Sequence, residues 1–156
     1  MHVYRICKRK YSNDLSGVGA GLYGGRWNPR GMNLLYTAGS ISLACLEYLV
    51  HNIHLSEATD ICLSIIEIPD DSKIHSVTKE SLPDDWNETS YLPHSTQSVG
   101  EDFINAGKNY ILMVPSAVVP NEFNYLINPQ HSDHTKTKTV KKTDPFELDS
   151  RLFQTK

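Results

Sequence analysis

Hydrophobic and polar positions divide this chain into short apolar runs separated by polar stretches that glycine and proline punctuate. His2 to Ile6 predicts a short strand. From Lys8 to Asn33 no period is sustained and glycine recurs, which predicts a long loop. A loop of that length in a compact domain is a place where function concentrates. Leu34 to Thr37 predicts a short buried strand, and Ser40 suits the N-cap of a helix running to about His51. Asp60 to Ile68, dense in isoleucine and leucine and stopped by Pro69, predicts a central strand.

The second half is less regular. Asp70 to Ser95 is polar and broken by Pro83 and Pro93, and it predicts no element. Thr96 to Ala106 predicts a helix closed by Gly107. Tyr110 to Val114 and Tyr125 to Ile127 predict strands, stopped by Pro115-Ser116 and Asn128-Pro129. Thr135 to Lys142 holds four lysines and reads as a solvated loop. Phe146 to Phe153 predicts a last strand. Short mixed strands with a few helices predict an α+β fold in a single domain over residues 1–156.

Composition narrows the classes. Apolar residues make up 39% and charged residues 21% of the 156 positions, a globular rather than a disordered balance. Fifteen basic against eighteen acidic side chains give a formal charge of −3, which weighs against non-specific nucleic-acid binding. No apolar run approaches the ~20 residues of a membrane-spanning helix, and the first residues lack the apolar core of a signal peptide. Cys7, Cys45 and Cys62 are odd in number and form no C-x-x-C pair, so neither a disulfide framework nor a four-cysteine zinc site is expected. A cytoplasmic protein is the expectation.

Several residue groups could carry chemistry. Six of the nine glycines lie between Gly17 and Gly31, and Gly19, Gly21 and Gly24 spell G-x-G-x-x-G. A dinucleotide fingerprint needs a strand before it and a helix after it, whereas Pro29 and Gly31 oppose a helix here. The glycines then form either a flexible surface loop or a segment that lets backbone approach a ligand and fixes Arg26, whose planar fork suits phosphate oxygens. Glu47 sits in an apolar helix, where an unpartnered carboxylate would cost several kcal/mol (order of magnitude). It therefore either pairs structurally, with His51 or an arginine, or faces a cavity. Ser116 ends a strand without a G-x-S-x-G elbow, so a hydrolase nucleophile is not expected. His51 with His54 and His131 with His134 share a spacing of three but lack H-E-x-x-H, and no metal site is expected.

The string Gly24-Gly25-Arg26-Trp27-Asn28-Pro29-Arg30-Gly31, then Leu35-Tyr36-Thr37-Ala38 and Leu43 through His51, resembles the RES domain family, named for an arginine, a glutamate and a serine. Val114-Pro115-Ser116-Ala117, Leu126-Ile127-Asn128-Pro129 and Pro145 through Leu152 follow in the family's order. The resemblance implies a fold similar to mono-ADP-ribosyltransferases and a toxin of a bacterial type II toxin–antitoxin pair, with NAD as substrate rather than cofactor. It implies Arg26, Glu47 and Ser116 as catalytic residues and Arg5, Arg26, Tyr36 and Ser116 as NAD-binding residues. It also implies an Xre-like helix-turn-helix antitoxin as partner, leaves room for a homodimer, and brings in neither membrane nor direct nucleic-acid binding.

What the resemblance implies about reaction divides three ways by acceptor. Water or phosphate would make the chain an NAD glycohydrolase or phosphorylase, the leading expectation. A protein side chain would make it a mono-ADP-ribosyltransferase. A reading from another class is a non-catalytic nucleotide- or nucleic-acid-binding module built on the glycine loop and the lysine run.

Overall fold

A computed structural model describes residues 1–52, 59–88 and 94–153. Among the described residues the strands and α-helices follow in the order β1 (His2–Lys8), α1 (Val18–Tyr23), β2 (Leu35–Ala38), α2 (Ile41–His51), β3 (Ile61–Glu67), β4 (Ile74–Ser76), α3 (His94–Ala106), β5 (Ile111–Pro115), β6 (Phe123–Ile127) and β7 (Lys138–Thr143). The strands form one mixed sheet in the order β4-β5-β6-β2-β1-β3-β7. β4 runs parallel to β5, and the other ladders are antiparallel. The α+β expectation holds.

Side chains alternate across the sheet, so each strand feeds two cores. On one face Leu112, Val114 and Leu126 meet Phe103 and Ile104 of α3, together with Trp27 and Trp86 from loops. On the same face Ala38 packs with Leu43 and Ala44 of α2, next to Tyr4 and Ile6. The opposite face buries Val3, Leu35, Ile66, Ile111 and Ile127 with Tyr110, and Leu15 of the first long loop packs onto it.

The β1–β2 ladder is the thin place in this sheet. Among the described residues it consists of one pair, Tyr4 opposite Ala38, whereas β1 pairs with β3 along its whole length. Beyond the Tyr4–Ala38 pair a cavity of about 180 Å³ opens, lined by Arg5 from β1 and by Leu34, Leu35 and Tyr36 from the β2 side. Asp14 and residues 17–20 complete its lining. Helix α2 packs on both β1 and β2 and so ties the two arms of the sheet together.

Several expectations are corrected. The stretch from Lys8 to Asn33 is not loop throughout, because residues 18–23 form α1 and a turn of 3-10 helix covers Arg9–Tyr11. The polar stretch from Asp70 holds β4, a three-residue edge strand with one apolar residue, Ile74, too short to show an alternating pattern. The lysine run is no solvated loop: Lys138–Thr143 is the edge strand β7, paired with β3. Lysines on an edge keep it soluble and discourage further pairing, which explains a composition that imitates a loop. Phe146 to Phe153 is no strand: it ends in a 3-10 turn at Ser150–Phe153. His54 and Pro93 lie outside the described residues. Among the described residues no helix is long and apolar enough to cross a membrane.

Candidate active site

Ser40 is the N-cap of α2, its Oγ accepting the Leu43 N–H at 3.1 Å. The helix buries Leu43 and Ala44 against the sheet and leaves Ile41, Leu46 and Val50 exposed, so it is not the all-round buried helix that its composition suggests. Glu47 follows Leu43 by one turn and is half-buried. Its partners are neither His51 nor an arginine. Oε1 accepts from Ser116 Oγ at 2.9 Å and from Asn124 Nδ2 at 2.5 Å. Among the described residues no donor reaches Oε2, and a carboxylate with one oxygen held and one open is poised to meet a ligand hydroxyl or a developing cation.

Ser116 is itself fully engaged. Its Oγ accepts the Val118 and Val119 N–H groups, both at 3.0 Å, and gives its one hydrogen to Glu47. It is buried at 3% exposure, which leaves the hydroxyl no hydrogen for a ligand. Asn124 was not singled out by sequence reasoning. Its pairing opposite Ala38 on β2 and Val114 on β5 puts it on the face that α2 covers. Period-two alternation in Phe123–Ile127, with a polar residue among inward positions, was the available signal.

Arg5 and Tyr36 line the cavity together. Arg5 Nη1 donates to the Asp14 carbonyl at 2.6 Å and to the Tyr11 carbonyl at 3.4 Å. Tyr36 Oη donates to Asn28 Oδ1 at 2.7 Å and accepts the Trp27 N–H at 3.0 Å. Its hydroxyl therefore fixes the glycine loop, and the residue packs against the core cluster around Trp27 and Leu126.

The loop after α1 is built rather than flexible. Gly24, with φ at +75°, ends α1 in a conformation that side chains rarely adopt. A Cβ on Gly25 would meet Tyr36 Oη at 2.5 Å. Asn28 is wholly buried, its Nδ2 facing the carbonyls of Ala20, Pro29 and Met32 at 2.9, 3.1 and 2.9 Å. Helix α3 holds the same loop, with Thr96 Oγ1 donating to the Arg26 carbonyl and Gln97 Nε2 to the Gly25 carbonyl. The Arg26 guanidinium donates to the Trp86 carbonyl at 2.5 Å and to the Glu88 carbonyl at 3.2 Å. Two of its five N–H groups thus anchor another loop, and Arg26, like Glu47 and Ser116, is not among the residues that line the cavity. Gly19 lines the cavity, and a Cβ added there would stand in open space.

The other candidates recede. Burial pushes the Cys7 and Cys45 thiols above their ordinary range, away from the thiolate a nucleophile needs. His131 and His134 are not in a simple solvated turn: residues 132–136 form a 3-10 helix, and His134 Nδ1 lies 2.9 Å from the Tyr110 hydroxyl. Burial lowers the His134 pKa and pushes Tyr110 up to about 12. Among the described residues no three His, Cys, Asp or Glu side chains cluster to hold a metal ion.

The RES domain profile matches residues 2–149. A protein called Toxin Res from Photorhabdus laumondii is 41% identical over 159 aligned positions, spanning 100% of this chain and 99% of its own length. The Prs ADP-ribosylating toxin of a Sphingobium species is 37% identical over 145 positions, covering 92% of this chain and 89% of its own. The crystal structure of the M. tuberculosis MbcT–MbcA toxin–antitoxin complex contains a chain with the same fold, at a TM-score of 0.78 and 20% identity over 97% of this chain and 86% of that one. A profile match over residues 2–149, and relatives 41% and 37% identical over most of both chains, establish that this chain belongs to the RES domain family.

Proposed function

We propose that this chain is the toxin of a toxin–antitoxin pair and that it acts by breaking the bond between nicotinamide and ribose in NAD. The observation that carries the reading is Glu47, half-buried on the helix that packs on β1 and β2, with one carboxylate oxygen held and the other open. The relatives called Toxin Res support the toxin role, and the MbcT–MbcA pair supports an antitoxin as partner. An Xre-like helix-turn-helix protein is the proposed form of that antitoxin, and residues 1–156 act as a single RES domain.

The chemistry fits these residue types. Nicotinamide leaves from a cationic nitrogen as a neutral molecule, so departure demands little general-acid help. What must be stabilised is the oxocarbenium-like charge at the ribose, as in glycoside hydrolysis. The open oxygen of Glu47 supplies that, placed in a partly desolvated site where the attraction is stronger than in water. Arg5, beside the cavity, and Arg26, through the N–H groups its anchoring leaves over, hold the pyrophosphate. The Tyr36 ring packs on the nicotinamide end. Ser116 serves through Glu47.

Water or phosphate as acceptor makes the protein a glycohydrolase or phosphorylase. The name of the Sphingobium relative favours a second reading, transfer of ADP-ribose to a protein. The deciding experiment incubates purified protein with NAD labelled in its adenylate half, with and without phosphate and with cell lysate, following nicotinamide release and label. Free ADP-ribose or its phosphate supports cleavage to a small acceptor, and a labelled protein band supports transfer. Absence of nicotinamide release in every arm overturns the NAD reading.

A further inference from the structure

We propose that Asn124 is a positioning residue for Glu47, acting with Ser116 to fix which carboxylate oxygen faces the substrate. The inference rests on the NAD-cleaving reading for its catalytic consequence, but its geometric content stands by itself.

A glutamate's terminal torsion is broad and roughly two-fold, so a helix alone does not decide where its two oxygens point. Here two donors converge on one of them, Asn124 Nδ2 at 2.5 Å and Ser116 Oγ at 2.9 Å. Neither donor is free to turn away. The Ser116 oxygen already accepts the Val118 and Val119 N–H groups, so its only hydrogen is left for Glu47. Asn124 stands on a strand paired on both sides, opposite Ala38 and Val114. Its amide carbonyl would repel a carboxylate, which settles the amide orientation on chemical grounds.

The same hairpin also grips the helix that carries Glu47. The Ser116 N–H donates to the Glu122 carbonyl at 2.9 Å. The Glu122 side chain accepts from Ser40 Oγ, the cap of α2, at 2.9 Å. One segment from Ser116 to Asn124 therefore holds Glu47 by its carboxylate and α2 by its N-terminus. The residue type at 124 matters: an aspartate would fit the space but bring a like charge against Glu47.

The experiment compares wild type with Asn124→Ala, Asn124→Asp and Ser116→Ala, measuring nicotinamide release against pH together with thermal melting. Asn124→Ala is expected to lower kcat about 10- to 100-fold with KM for NAD within about twofold, as mispositioning of a catalytic group does. Asn124→Asp is expected to be weaker still at neutral pH and to recover as pH falls, because the introduced carboxyl, once protonated, again donates to Glu47. A merely structural role would lower the melting temperature without that recovery. A wild-type kcat in Asn124→Ala, or a pH profile of Asn124→Asp parallel to wild type, overturns the proposal. A crystal structure of Asn124→Ala without substrate separates this failure from failure of the NAD reading. The Glu47 carboxylate should turn or become disordered there, and a carboxylate left in its wild-type position overturns the positioning role.

Discussion

The carboxylate side of the site and the arginine side are built by different means. Glu47 stands on a capped helix and is held by two side chains from one hairpin. Arg5 and Arg26 are held instead by backbone carbonyls of loops, at Asp14 and Tyr11 for the first and at Trp86 and Glu88 for the second. A carboxylate that meets charge at a reacting centre gains most from tight placement. A guanidinium that grips a phosphate can reach its oxygens in several geometries through five donors. On the proposed reading the difference has a cost on the arginine side, because the group assigned to the ligand there is also a structural tie.

The largest expected effect tests the carboxylate side. Glu47→Gln keeps an Oε1 that accepts from Ser116 and Asn124, so melting should stay near wild type while nicotinamide release falls about 100- to 1,000-fold, the scale for losing an electrostatic stabiliser. Equal release from both proteins removes Glu47 from the chemistry. Next in size is Gly100→Ala, on the helix that backs the glycine loop. A Cβ there would lie 1.7 Å from the Trp27 carbonyl, and the forced displacement of α3 or of the loop should cost about 3 kcal/mol in denaturant unfolding. A variant as stable as wild type would show that the loop is not clamped.

Arg26→Ala is the direct test of dual use. It should lose about 1–3 kcal/mol of stability, because the Trp86 and Glu88 carbonyls lose a charged donor, and it should also bind NAD more weakly at low salt. Arg5→Ala should shift the balance toward binding. A loss of affinity in Arg26→Ala with no loss of stability would break the comparison.

The smallest effect concerns pH. Burial lowers the His134 pKa, partly offset by a hydrogen bond to the Leu15 backbone. The unfolded chain therefore binds a proton at higher pH than the folded one, so stability is fully present above about pH 6.5 and is lost as pH falls through the lower folded value. Urea midpoints should drop between pH 7 and pH 5, and less so in His134→Gln. Because Leu15 adjoins Asp14, whose carbonyl holds Arg5, the arginine side should loosen first on acidification, seen as earlier amide exchange at residues 11–15.

How much of this was legible depended on the range of the interaction. The helix from Ser40 to His51 declares itself through an N-cap and an apolar run, both local. Strand β3 declares itself through hydrophobic density and Pro69. The helix α1 did not, because four of the eight residues 17–24 are glycine, and its formation depends on where Gly17 and Gly21 pack, against Leu34 and Asn33. The edge strand β7 was hidden by its lysines, and β4 by its three exposed residues.

By itself the sequence determined the cap, the helix and the interior strands, and its resemblance to the RES domain family pointed to Arg26, Glu47 and Ser116. It also placed a carboxylate where burial demands a partner. Only the tertiary structure decided that partner. Ser116 and Asn124 lie 69 and 77 residues from Glu47, and no local pattern encodes a contact at that separation. The same holds for the cavity, which exists because β1 and β2 meet at one pair and then part. Pairing register is a property of two strands together, and it is written in neither one alone.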